Sequence, residues 1–226
     1  MIDAALIARF RADCAIDRDY GPPIGIAVSG GPDSLALLLL AHAALPGQVY
    51  AATVDHGLRA ESAAEAAFVA QVCRELDVPH ATLPVRVEPG NTQAQARAAR
   101  YEALGSHFAN RNVLNFATAH HADDQAETLL MRLNRGSGVA GLAGVRPWSI
   151  FFPEGVVAEM LLLRPLLGWR REELGAVVRS AGLSPVEDPS NTDDAYDRAR
   201  IRKAIADVDW LDPLAMSQSA RYLAEA

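Results

Sequence analysis

Four short apolar runs divide the first half of the chain: 24–29 (IGIAVS), 49–55 (VYAATVD), 80–87 (HATLPVRV) and 113–120 (VLNFATAH). Each is rich in β-branched or aromatic residues and reads as a strand. Between them lie 33–45, 60–77 and 92–109, rich in Ala, Leu, Glu and Arg and long enough for helices. Strand and helix alternating at this interval predict an α/β fold, a parallel sheet with helices on both faces. Beyond residue 136 the pattern weakens into a glycine-rich stretch, GSGVAGLAGVRPW, followed by EMLLLRPLL and REELGAVVRSAG. The sheet domain is expected to close between residues 140 and 190. We place its limits at 1–185, followed by a small helical C-terminal extension at 186–226 that breaks off in mid-helix by its pattern.

Half of the 226 residues are hydrophobic and 22% are charged, enough for one large domain with a real core. No apolar stretch reaches membrane-spanning length, and the N-terminus lacks a signal-peptide layout, so a cytoplasmic protein with no membrane partner is expected. The two cysteines, Cys14 and Cys73, form no CxxC pair and are expected to pack as small apolar residues. A net charge of −7 argues against indiscriminate nucleic-acid binding and leaves room for local basic faces. Two such stretches stand out, Arg132, Arg135 and Arg146 in 128–148, and Arg198, Arg200, Arg202 and Lys203 in 195–203; solvated helix faces are the competing reading.

The first strand runs into SGGPDS and then a hydrophobic helix. A strand-to-helix turn of this kind gathers backbone N–H groups and the positive helix end around one point, an anion site. Gly30 and Gly31 let the backbone approach the anion, and Ser29 and Ser34 add hydroxyl donors. The loop has no lysine, so it is neither a Walker loop nor, with Ala27 in place of a glycine, a nucleophile elbow. Asp33 would compete with a phosphate for the same donors unless a cation sits between them. Mg²⁺ shared by Asp33 and a polyphosphate is therefore expected.

HHADDQAET lies at the next strand-to-helix junction, with Ala126, Leu129, Leu130 and Leu133 forming an expected buried stripe. Gln125, Thr128, Arg132 and Arg135 fall on another face, free to meet ligands. Ligands bind beyond the C-terminal ends of parallel strands, so His120, His121, Asp123 and Asp124 are expected at the mouth of Ser29–Ser34. Either aspartate could equally cap the helix. Asp55 ends the second strand, where an acid can meet ribose hydroxyls or simply close a turn. Arg97, Arg100 and Tyr101 share a helix edge. The tryptophans Trp148, Trp169 and Trp210 are expected in the core rather than stacked on a base.

SGGPDS resembles the PP-loop motif of the N-type ATP pyrophosphatases, which cleave ATP to AMP and pyrophosphate. VDHGLRAESAAEAAFV (54–69), GNTQAQARAARYEAL (90–104), HHADDQAETLLMRLNRGSGVAGLAG (120–144) and EDPSNTDDAYDRARIRK (187–203) narrow the similarity to the tRNA(Ile)-lysidine synthetases. The resemblance implies an adenine nucleotide alpha hydrolase-like fold, with residues 1–185 as the nucleotide-binding domain and 186–226 leading toward a tRNA-binding region. It implies ATP and Mg²⁺ as cofactors, and as substrates free L-lysine and the isoleucine tRNA with a CAU anticodon. In such an enzyme C2 of the wobble cytidine is adenylated and the lysine amine then displaces AMP. A homodimer is left open. By the same resemblance Ser29, Gly30, Gly31, Pro32, Asp33, Ser34, Asp55, His56 and His120 hold the nucleotide, and Asp33 and Asp124 the metal. Asp33, Asp123, Asp124, Arg97 and Arg202 serve the reaction, with Arg200 and Arg202 the preferred basic pair. Glu187 and Asp188 would meet the lysine amines.

Two further readings compete. Another PP-loop enzyme, such as a tRNA thiolase, would need cysteines in the site, and Cys14 and Cys73 provide no pair. A non-catalytic ATP-binding module would explain the loop but leave HHADDQAET and RIRK without a purpose.

Overall fold

The structure, a computed structural model, describes residues 2–14, 23–55, 62–85, 93–186 and 197–225. Its centre is a sheet of β1 (Ile24–Ala27), β2 (Val49–Asp55), β3 (His80–Pro84), β4 (Asn115–Ala117), β5 (Trp148–Phe151) and β6 (Met160–Leu163). The order is β3-β2-β1-β4-β6-β5, with every pairing parallel except β5–β6. The chain winds outward from β1 to β3 and then returns to place β4 on the other side of β1. The order therefore reverses between β1 and β4, which opens a crevice above their C-terminal ends.

The helices follow from what each must bury. In α2 (Pro32–Ala44), Leu35 through Ala41 are all buried. A helix apolar all round has to be sandwiched, and α2 lies between the sheet and an outer layer of α1 (Ala4–Asp13) and α7 (Arg171–Ser180). Val69, Val72 and Cys73 of α3 (Ser62–Glu75) join the same core, whose far end is closed by fully buried Trp169. The indole donates to Asp13 at 2.8 Å, and the Arg9 guanidinium lies 4.0 Å above its ring. The second core packs Tyr101, Leu104 and Phe108 of α4 (Gln93–Ala109) against Phe116, Met160 and Leu162. Helix α4 approaches so closely that a Cβ at Gly25 would stand 2.7 Å from the Phe108 ring.

The remaining helices are α5 (Ala122–Asn134), the short α6 (Val139–Leu142), α8 (Asp197–Ala206) and α9 (Pro213–Glu225). Helix α5 packs against both α8 and α9, and Ser217 of α9 donates to the Leu167 carbonyl at 2.8 Å. Among the described residues no helix is long and apolar enough to cross a membrane.

Three sequence expectations need correction. The β5–β6 hairpin falls where the pattern appeared to fade, because β6 is only four apolar residues long and shows no alternation to distinguish it. The stripe on α5 breaks at Leu133, which is 51% exposed. The buried arc instead runs Gln125 to Leu129, since α5 is covered on two sides. Of the tryptophans only Trp169 is in the core; Trp148 and Trp210 are exposed. Both cysteines are buried and free, as expected, and burial pushes the Cys73 thiol up to about 12.

Gly25→Ala is expected to destabilise the fold by about 1–3 kcal/mol, because the added methyl must displace the Phe108 ring within a closed core. Urea unfolding monitored by circular dichroism measures this. Unchanged stability would mean that α4 is not pressed against β1 as described.

Candidate functional site

Two strand-to-helix turns flank the crevice. After β1 the chain passes through Ser29 and Gly30, whose φ of +89° suits glycine, and Gly31 then caps α2 with Pro32 at its first turn. A Cβ on Gly30 would also approach Val186 at 3.3 Å, since that residue's N–H donates to the Gly30 carbonyl at 3.0 Å. The Ser34 hydroxyl closes the loop on itself: it lies 3.1 Å from the Ser29 N–H and 3.2 Å from the Ser29 hydroxyl, and donates to the Gly31 carbonyl at 3.0 Å. The loop is thus shaped in advance around the positive end of a thirteen-residue helix.

After β4 the second turn delivers His120, His121, Asp123 and Asp124. The fully buried His121 imidazole stands among three carboxylates: Asp33 at 3.4 Å, Asp123 at 3.5 Å and Asp124 at 3.5 Å. These distances describe ion pairs rather than well-formed hydrogen bonds. Burial would depress the imidazole's basicity, but Asp123, Asp33 and Asp124 overcome that and hold its pKa at about 9. Burial also opposes ionisation of Asp123 and Asp124, yet the imidazolium and neighbouring donors keep both carboxyls below the ordinary range. Asp33 Oδ1 is buried without a hydrogen-bond partner among the described residues. Asp33 and Asp124 meet at the same imidazole nitrogen. Among the described residues no group of three His, Cys, Asp or Glu side chains is disposed to hold a metal ion by itself. Two convergent carboxylates, one with an orphaned oxygen, fit Mg²⁺, which takes one or two protein carboxylates and completes its shell with phosphate oxygens and water.

One turn further along α5, Glu127 is 1% exposed and meets three guanidiniums. Arg202 Nε donates to it at 2.7 Å, Arg171 approaches at 3.2 Å and Arg198 at 3.4 Å. Arg198 and Arg202 are one turn apart on α8, so a single buried carboxylate seats that helix against α5. Opposite, Arg97 of α4 donates to the Tyr101 hydroxyl at 2.9 Å and lies 3.1 Å from His120 Nε2, while His120 Nδ1 lies 3.0 Å from the Thr118 hydroxyl. Burial, reinforced by the Arg97, Arg164 and Arg100 charges against the opposing Asp124, lowers the His120 pKa to about 3, leaving a neutral ring.

These side chains enclose a cleft of about 650 Å³ lined by the Ser29–Ser34 loop, Asp124, His120, Arg97, Arg100, Arg171, Arg198 and Arg202. The sequence had singled out most of them. His56, Glu187 and Asp188 lie outside the described residues, and Asp55 closes β2 at the same edge of the sheet. Asp123 does not line the cleft: it accepts from the Arg171 N–H at 2.8 Å and pairs with Arg170 at 3.3 Å, capping α7. Arg200 pairs with Asp197 on the exposed side of α8, so the cationic edge at the cleft is Arg198 with Arg202. Gln125 brackets Val145 with two 2.7 Å hydrogen bonds, and Arg132 holds the carbonyls of Gly141 and Gly144; both fasten the loop after α5. Glu127, Arg171 and the buried Arg164 had not been singled out. The available signal for Glu127 was an acid inside an otherwise buried helical arc, with arginines four apart downstream.

Residues 8–208 match the model of the PP-loop domain family. Among curated proteins, the chain is 53% identical over 221 residues to a tRNA(Ile)-lysidine synthase from Novosphingobium aromaticivorans, covering 97% of this chain and 66% of that one. It is 48% identical over 201 residues to a tRNA(Ile)-lysidine synthase from Zymomonas mobilis, covering 88% of this chain and 60% of the relative. The chain thus spans about three fifths to two thirds of these relatives' length. Among solved structures, the U34-tRNA thiolase NcsA from Methanococcus maripaludis, with its [4Fe-4S] cluster, superposes with a TM-score of 0.79 at 16% identity, covering 98% of this chain and 78% of the other. At that identity the likeness bears on the fold alone.

Glu127→Ala is expected to cost about 3 kcal/mol, because it strands three guanidiniums that α7 and α8 bring to one carboxylate. Asp197→Ala, which removes the exposed pairs with Arg135 and Arg200, should cost less than about 1 kcal/mol. Denaturant midpoints of the two variants check this; equal losses would contradict the assignment.

Proposed function

The chain belongs to the PP-loop domain family, and from that premise we propose that it serves the ATP-dependent attachment of lysine to C2 of the wobble cytidine in the isoleucine tRNA with a CAU anticodon. The observation that carries this reading is the convergence, in one cleft, of a lysine-free phosphate loop, two carboxylates and arginines from α4, α7 and α8. Curated relatives at about half identity bear the corresponding name.

In this reading the Ser29–Ser34 loop binds the ATP phosphates, and Arg171, Arg198 and Arg202 offset their charge. Asp33 and Asp124 would hold Mg²⁺, which would supply Lewis-acid neutralisation of the polyphosphate. The cytidine's C2 oxygen takes AMP from ATP and pyrophosphate departs; an amine of free lysine then attacks C2 and AMP leaves. A preformed loop and fixed guanidiniums are suited to charge that grows on the phosphates in the transition state. A tRNA thiolase fits less well, since Cys14 and Cys73 are both buried in the α1–α3 core and neither lines the cleft. Helices α8 and α9 belong, in this reading, to an extension leading toward RNA contacts, and the substrates are those of the cytoplasm.

The test supplies the protein with ATP, Mg²⁺, labelled lysine and a CAU isoleucine tRNA, with a methionine tRNA as control. Label should enter the isoleucine tRNA alone and only with ATP; label in neither RNA would sink the proposal. Asp33→Ala should lower the rate by about a hundredfold or more while its circular dichroism spectrum remains that of the folded protein. Normal turnover by that variant would remove Asp33 from the metal site.

A further inference from the structure

The β5–β6 hairpin carries chemistry that the ATP site does not use. Arg164, just beyond β6, is 9% exposed, and its Nε is buried with no hydrogen-bond partner among the described residues. Its Nη1 donates to the Arg146 carbonyl at 2.9 Å and lies 3.2 Å from the Ser149 hydroxyl, and its main-chain N–H donates to the Pro147 carbonyl at 2.8 Å. Arg164 therefore fastens the corner at residues 146–149. Leu163, which pairs with Trp148, accepts from the Thr118 N–H at 3.0 Å, and the Thr118 hydroxyl lies 3.0 Å from His120, which lies 3.1 Å from Arg97, so the corner stands beside the α4 side of the cleft.

Two features of the corner point to a ligand. Trp148 is 57% exposed and pairs with Leu163, so it stands at the ligand-binding edge of the sheet. Arg146 is exposed next to it, and Arg97 is exposed at the cleft rim. Among the described residues, no ion pair to a carboxylate engages Arg97, Arg146 or Arg164. A bare indole beside uncompensated guanidiniums is the arrangement that single-stranded RNA takes, with bases stacking on aromatic faces and phosphodiesters meeting arginines. Polyphosphate already has the Ser29–Ser34 loop. The acidic chain as a whole repels RNA, so an RNA ligand needs such a local patch.

We propose that the Arg146–Trp148 corner, fastened by Arg164 beside Arg97, takes the single-stranded loop of the acceptor RNA: Trp148 stacks an unpaired base, and Arg146 and Arg97 hold adjacent phosphodiesters. This rests on the reading of an RNA acceptor given above. Trp148 and the two rim arginines touch the RNA, and Arg164 is a positioning residue. Ile150 on β5 and Phe152 just beyond it continue an exposed strip away from the cleft edge and stand outside the RNA surface.

The experiment measures binding of an anticodon stem-loop RNA with a CAU loop by fluorescence anisotropy across a salt series. Trp148→Ala should weaken binding by about tenfold or more, with Trp148→Phe restoring most of it. Arg146→Gln and Arg97→Gln should each flatten the dependence of log Kd on log salt by about one. Arg164→Gln should lower affinity, and combining it with Arg146→Gln should add little, because both act through one corner. Its ATP affinity should stay at the wild-type value. Ile150→Ser should bind RNA normally.

Failure of the wild-type protein to bind the stem-loop overturns the proposal. So does a Trp148→Ala affinity within about twofold of wild type, when stacking predicts far more. Equal binding of a loop-free duplex, or loss of self-association rather than of RNA binding in Trp148→Ala, overturns it as well. RNA binding that depends on Trp148, without lysine transfer, leaves this surface standing and removes the reaction assigned above. Lysine transfer with an unchanged KM for RNA in Trp148→Ala does the reverse.

Discussion

Burying a carboxylate is unfavourable unless charges and donors surround it, and Glu127 meets that requirement with guanidiniums from two other helices. Arg171 starts α7, while Arg198 and Arg202 lie one turn apart on α8. Satisfying one side chain on α5 therefore draws two helices to the rim of the sheet. The three guanidiniums are thereby held at the rim of the cleft, beside Asp33 and Asp124.

That arrangement works only because the sheet has already decided where the cleft is. Strand order reverses between β1 and β4, so the turns that follow them face each other across a gap. One turn is anionic-ligand chemistry made from main chain and hydroxyls. The other is a His121 imidazolium among Asp33, Asp123 and Asp124, with two of those carboxylates on the cleft and the third capping α7. The α4 side differs in kind: a neutral His120 and, among the described residues, arginines with no ion pair to a carboxylate. The cleft thus has one flank of main-chain donors, hydroxyls and carboxylates and another where arginines predominate, and the reaction proposed above uses both.

Much of this was legible in the chain. Strands β1 to β4 and helices α2 to α4 were readable because β-branched runs and helix-length segments alternate cleanly there, and SGGPDS announced the anion loop through its glycines and helix start. What escaped was decided by tertiary context. Strand β6 is too short to show a period, and its antiparallel neighbour β5 alternates exposed and half-buried positions at a sheet edge. Helix α5 is covered on two faces, so Gln125 and Thr128 are buried where a single-stripe reading left them free. Asp123 could not be told from Asp124 by spacing; the difference is that the N-terminus of α7 arrives beside one of them. Glu127 and Arg164 depend on partners about 40 to 75 residues away or in a neighbouring hairpin, which no local pattern displays.

The most direct test follows the α-phosphate. ATP labelled at that position is incubated with the protein, Mg²⁺ and the CAU isoleucine tRNA, first without lysine and then with it. Label should move onto the RNA as AMP in the absence of lysine and be released as free AMP when lysine is added. Label that remains in free nucleotide, or that becomes attached to the protein, would contradict a cleft built to pass AMP directly from ATP to RNA.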